Sequence, residues 1–286
     1  MPSLAMLFQS HLDSGLAGDR LRQQMLADFP DLKPASLTVD AAENADEDRP
    51  LTLSYGDTMI ALMSVPAAVG DDLQEIAEHS RLWPESTPVP ASYDAHTIVT
   101  VLRPGKSSTS YQDAIADAVL LSKVIASAIA VSDSIVAVYF GSANHVIVPE
   151  LFRDLTIETL PDPILPAWVA LNVAPRTDGV MTGHTRGLDM LRLMDIEIVE
   201  SPETAEETFA RLANISIYQL QSGPVIGDGH SLGTTDDAEL FALHAPSALD
   251  PDKTVLQLTF AAGDEQPVAA TAVEPQSKKR GWFRRK

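Results

Sequence analysis

The sequence predicts an α+β fold (mixed α/β): mostly mixed β-sheet with packed helices, one long central helix and a disordered C-terminal tail. Three observations predict it. Up to about residue 260, stretches with the two-residue alternation of strands interleave with stretches of helical spacing. One run, VLLSKVIASAIAV at Val119–Val131, is apolar nearly all round, as a helix covered on most sides must be. The residues after 260 then change to a composition too polar to pack.

In chain order, Ser3–Phe8 reads as a strand, and Asp13 or Ser14 as the cap of a helix that Pro30 stops, with Leu16, Leu21, Met25 and Leu26 on one face. Ser36–Asp40 is a short strand, and DAAENADEDRP after it an acidic loop. Thr58–Val65 reads as a buried strand ended by Pro66. Asp71 and Asp72 stand where a helix dipole favours acids, ahead of LQEIAEHS. His96–Leu102 is β-branched and alternating. Ser107–Ser110 then opens the long helix, which runs to Val131. Ile135–Phe140 and His145–Val148 are strands. Pro161, Pro163 and Pro166 make the strongest internal break. They divide an N-terminal α/β region (1–160) from a C-terminal α+β region (161–260) packed with it as one unit, and 261–286 forms a linker and tail. Beyond the break, Trp168–Val173 and Ile196–Val199 are strands. Pro202, Glu203, Glu206 and Glu207 start a helix with Phe209, Leu212, Ile215 and Leu220 inward. Gly223–Gly233 is a turn-rich hairpin, and Glu239–His244 and Thr254–Phe260 close the fold.

At 286 residues and 45% apolar composition the chain can bury a substantial core. It has no cysteine, which excludes disulfides, thiolate metal sites and cysteine nucleophiles. The N-terminal MPSLAMLFQSHLD lacks the basic and apolar regions of a signal peptide, and the longest apolar run is too short to span a bilayer, so a cytoplasmic protein is expected. The formal charge is −20, and six basic residues lie in the last nine positions. The rest carries 14 basic against 40 acidic residues, a net of −26. A body so acidic repels phosphate backbones, so no nucleic-acid partner is expected for it.

The motifs are fragmentary. In MTGHTRGLDMLRLMDIEIVES, Gly183 and Thr185 read as a turn and helix cap with an exposed His184 between them; the sharper alternative places an anion on His184 and Arg186. Gly227-Asp228-Gly229 reads as a β-turn, with Asp228 and His230 as candidate metal or ligand contacts; the third glycine comes one place late for a dinucleotide loop. RPGKSST at Arg103–Thr109 lacks the first glycine of a phosphate loop. Seven histidines are scattered without an H-x-H or H-E-x-x-H pattern, and there is no G-x-S-x-G elbow. No cofactor or metal is expected.

From about Val180 to Phe260 the sequence resembles domain-of-unknown-function family 4261, a family of uncharacterised bacterial proteins. The resemblance rests on the order GLDMLRL, DIEIVES, ANISIYQL, DGHSLG and KTVLQLTF. Upstream, the order acidic helix, WP, AHTIVTV, long helix, IVAVYFGS is similar as well, so the likeness extends over most of Met1–Phe260. It implies a fold and a bacterial source. It implies no activity, cofactor or catalytic residue.

The tail carries the clearest partner signal. Lys278, Lys279, Arg280, Arg284, Arg285 and Lys286 surround Trp282 and Phe283. Six cations near an anionic leaflet contribute at most roughly 6 kcal/mol, and the aromatic pair suits the interface. The expectation is a non-enzymatic binding or accessory module whose tail recruits it to an anionic membrane surface, peripheral at the inner membrane face, or to a protein partner. A full-length chain that stays in solution beside anionic vesicles at low salt would contradict the membrane reading. Two alternatives stay open: a hydrolase-like enzyme assembled from dispersed histidines and carboxylates, and an immunity-type inhibitor that captures a basic toxin.

Overall fold

The computed structural model describes residues 3–40, 50–70, 73–106, 110–234 and 238–261. Two sheets and six helices make an α+β architecture. The first sheet is antiparallel throughout, in the order β2 (Leu37–Val39), β3 (Leu51–Tyr55), β4 (Thr58–Val65), β5 (Ala95–Leu102), β1 (Ser3–Gln9), β6 (Ile135–Phe140) and β7 (His145–Ile147). The second runs β11 (His230–Thr234), β12 (Glu239–Pro246), β13 (Thr254–Ala261), β10 (Ile196–Ser201), β9 (Met181–Arg186) and β8 (Ala170–Pro175). Its one parallel pair is β10 with β13.

The long helix α3 (Tyr111–Val131) joins the two halves. Ser110 and Asp113 cap it reciprocally, each side chain accepting from the other's backbone N–H. Leu121, Val124 and Ile125 are fully buried, and the helix packs on β1 and β5 between α1 (Gly18–Asp28) and α4 (Pro149–Thr159). By length and composition α3 could cross a bilayer, yet most of it is buried inside the fold. Its polar groups are matched. Lys123 pairs with Asp31 above the Phe29 ring, and Arg103 reaches Asp117 at 2.8 Å. Ser122 accepts from the indole N–H of buried Trp168 at 2.9 Å, across the proline break. One core therefore runs from Leu7 through Leu121 and Trp168 to Leu188, Leu212 and Leu256. On the opposite face of the first sheet, Phe8, Trp83 and Tyr93 form a smaller cluster with α2 (Leu73–Glu78).

Several expectations need correction. Neither Asp13 nor Ser14 caps α1. Its N-cap is Ala17, while Asp13 Oδ1 accepts from Gly15 N at 2.6 Å in a turn before the helix. Thr58–Val65 is not buried through: Ile60 and Leu62 face the core, whereas Met63 on the other side is 44% exposed. The sequence reading missed β3, a hairpin partner of β4 across Gly56-Asp57, and it missed α4, whose start is marked by Pro149. Trp168 ends a short helix, α5 (Leu165–Trp168), rather than starting a strand. Asp71, Asp72, most of the 40–50 acidic loop, Ser107–Thr109 and the whole 278–286 tail lie outside the described residues.

Candidate functional site

The largest correction falls on Met181–Arg186. It is strand β9, hydrogen-bonded between β8 and β10, and not a turn leading to a helix cap. Gly183 sits there because α6 (Ala205–Ser222) lies against it. A Cβ at Gly183 would come within 2.9 Å of Leu212 Cδ1 and 3.2 Å of Thr208 Cγ2. His184 is therefore held in a sheet, half-buried, opposite Asn172 on β8 and Glu197 on β10. Residues paired across strands share a face, so Asn172, His184 and Glu197 form a polar row, which the β10–β13 register continues to Gln257. Burial pushes the His184 imidazole below its usual range; Glu197 opposes that shift and Arg186 reinforces it. Glu197 is a brace for the following loop: it accepts from Ser247 Oγ and from Ala248 N at 2.8 Å.

Gly187 then bends the chain with φ +121°. The bend lets Asp195 Oδ1 accept from Thr185 Oγ1 at 3.0 Å and Leu188 N at 3.1 Å. Burial, with Asp189 nearby, pushes the Asp195 carboxyl up to about 6. The ordinary value of 3.8 applies in the unfolded chain, so the fold binds this proton more tightly between the two values. Asp195 thus favours the folded state at low pH, and that contribution is lost as pH rises through about 6. The full shift corresponds to up to about 3 kcal/mol. Asp195→Asn keeps the Oδ1 acceptor and cannot ionise. The variant is expected to match or exceed the parent in stability at pH 7 and to lose that advantage at pH 4. Urea melts at both values test this; equal destabilisation at both would contradict it.

His184 and Arg186 also line two cavities. The larger, about 600 Å³, lies where the two halves meet. The N-terminal half supplies His79 and Arg81 after α2 and His145 on β7. The C-terminal half supplies His184 and Arg186 on β9 and Phe209 on α6, whose ring lies 4.9 Å beneath the Arg81 guanidinium. Among the described residues no carboxylate lines this cavity, and apolar side chains of α5, β8 and α6 make much of its wall. The second cavity, about 480 Å³, holds Asp189, Asp195, Glu197 and Lys253, with Lys253 Nζ 2.9 Å from Asp189.

Asp228 and His230 lie in neither cavity. Asp228 Oδ1 accepts from His244 N at 2.8 Å, and His230 Nδ1 accepts from Gly227 N at 3.1 Å. Both knit the turn before β11. The structure brings His184 and Arg186 together and leaves the other two apart. The fragment RPGKSST is likewise committed elsewhere: Arg103 and Lys106 meet Asp57 and Asp113. Among the described residues, no group of three or more His, Asp or Glu is placed to hold a metal ion. His79, Arg81, His145 and Phe209 were not singled out in the sequence as site residues. Nothing local marks them, because they stand on separate elements.

The fold and this site define a two-sheet α+β protein with a basic cavity at the junction of its halves. Residues 184–259 match the family model described as a domain of unknown function (DUF4261), and the chain carries a domain of that family. The matched segment begins at His184 and ends within β13, so the family domain forms one wall of the cavity. No curated protein and no solved structure matches the chain.

Proposed function

We propose that the protein is a ligand-binding module whose ligand occupies the cavity between the N-terminal half and the family domain. The observation that carries this is the cavity itself. Its volume of about 600 Å³ and its apolar wall with a few converging polar groups are those of small-molecule sites. Binding is favoured over covalent turnover by the lining. Among the described residues Ser80 supplies its one hydroxyl, which donates to Val146 O at 2.5 Å, and the His145 Nε2–H donates to Ala167 O at 3.1 Å. The basic Trp282–Phe283 tail would bring such a module to an anionic surface, a proposal that rests on sequence alone.

The test is a fluorescence titration with anilinonaphthalene sulfonate. Saturable one-to-one binding is expected for the parent and not for Ala213→Trp, which fills the cavity from α6. The two proteins should melt at similar temperatures, since Ala213 is only partly buried. No saturable binding, or equal binding by the filled variant, would overturn the reading.

A further inference from the structure

We infer that the ligand of this cavity is an organic anion, a carboxylate or phosphate monoester on an apolar body, and that Arg81 and Arg186 recognise its head. The inference rests on the binding reading above and narrows it to a ligand class.

The chain carries 40 acidic residues against 20 basic ones, so a lining with two arginines and, among the described residues, no carboxylate is opposite in sign to the protein around it. Four arginines elsewhere are paired with carboxylates, while Arg22 donates to the carbonyls of Leu37 and Pro34. Arg103 meets Asp117 at 2.8 Å, Arg153 meets Asp28 at 2.7 Å, Arg176 meets Asp178 at 2.6 Å, and Arg211 meets Glu203. Among the described residues, no carboxylate pairs with Arg81 or Arg186. Guanidinium groups left unpaired beside a cavity are suited to carboxylate and phosphate oxygens, which they bind through paired N–H donors. A cationic ligand would meet like charge and find no anionic acceptor on the wall.

The apolar part follows from the rest of the wall. Leu171 approaches from β8 and Phe209 and Ala213 from α6, all three partly exposed, while Leu165 and Val169 are buried. A bare inorganic anion would leave the exposed parts of Leu171, Phe209 and Ala213 in contact with water, whereas an aliphatic or aromatic body would cover them. The imidazoles of His145 and His184 are both held below their usual range, chiefly by burial. At neutral pH the charge that meets the head therefore comes from the arginines.

Calorimetric titration of the full chain with four probes separates the parts of the inference: octanoate, octyl phosphate, octanol and inorganic phosphate. Octanoate or octyl phosphate is expected to bind about tenfold or more tightly than octanol, the scale of one charge-assisted contact. Inorganic phosphate should bind at least as much more weakly than octyl phosphate. Arg81→Gln and Arg186→Gln should each weaken the organic anion about tenfold, leave octanol binding unchanged, and melt as the parent does, because both side chains are exposed. Octanol binding as tightly as both organic anions, or both arginine variants binding the anion like the parent, would overturn the anionic head. Inorganic phosphate matching octyl phosphate would overturn the apolar body. In either case saturable dye binding, lost in Ala213→Trp, would leave the broader reading standing. If dye and all four probes fail to bind, the binding reading fails with the inference.

Discussion

Leu121→Asp is expected to abolish the cooperative fold. Leu121 is fully buried in α3, where the helix is covered by the first sheet, α1 and α4. The substitution deletes a core side chain, a loss of about 2–5 kcal/mol. It also places a carboxylate where no cation is in reserve, since Lys123 is bound to Asp31 and Arg153 to Asp28. An unpaired buried charge costs several kcal/mol more. Together these approach the whole stability of a domain, about 5–15 kcal/mol. Ile125→Asp, one helical turn on and equally buried, should behave alike. Ile157→Asp on α4 is the control: that side chain is 42% exposed, and its change should stay within roughly 0.5–1 kcal/mol. Thermal melts followed by circular dichroism decide the matter. If Leu121→Asp and Ile125→Asp melt like the parent, α3 is not the centre of the molecule.

That α3 is central was legible because its signal is continuous in sequence. A run apolar on nearly every face has no stable place except inside, and Ser110 with Asp113 marks its start. α6 has one buried and one exposed face, and Thr204 with Glu207 forms the corresponding cap at its start. The family resemblance was legible too, and the matched segment covers α6 and the strands from β10 to β13. What misled were residues whose local preference and tertiary role differ. Gly183 and Thr185 have turn chemistry, yet the glycine is in a strand so that Leu212 can approach it. Asp13 has capping chemistry, yet it closes a turn four residues too early.

The cavity was not legible for a different reason. Its arginines and histidines come from the segment after α2, from β7 and from β9, which are distant in sequence and meet only when the two halves pack. His79 and His145 could be counted among scattered histidines, but no spacing rule connects them. Arg81 is indistinguishable in sequence from Arg103 or Arg153. What separates them is the presence of an acidic neighbour in space, which Arg103 and Arg153 have and Arg81 lacks among the described residues. The proposed site is thus marked, among the described residues, by a missing carboxylate, and a sequence with 40 acids gives no hint of where one is absent.

Gly187→Ala is expected to destabilise the protein by about 3–5 kcal/mol. Two costs combine. The backbone at Gly187 has φ +121°, outside the range that L-residues adopt readily, and holding a side-chain-bearing residue there costs about 1–3 kcal/mol. The added Cβ would also lie 2.6 Å from Trp168 O and 3.1 Å from the carbonyl carbon and oxygen of Ser142. Both obstacles are backbone, and both are fixed: Trp168 is fully buried with its indole on Ser122, and Ser142 Oγ donates to Trp168 O at 2.7 Å. Overpacking of this kind adds about 1–3 kcal/mol. At roughly 2–4 °C per kcal/mol for chains of this size, the melting temperature should fall by about 6–20 °C. Gly56→Ala separates the two costs. That glycine also has positive φ, +62°, but a Cβ there meets nothing within 4 Å, so only the smaller backbone strain applies. The bend at Gly187 follows Arg186 directly and precedes the loop that encloses Asp195, so Gly187→Ala should also weaken ligand binding in the larger cavity, whereas Gly56→Ala should not. Equal melting temperatures for the two variants would show that the close approach of Trp168 to Gly187 is not the constraint described.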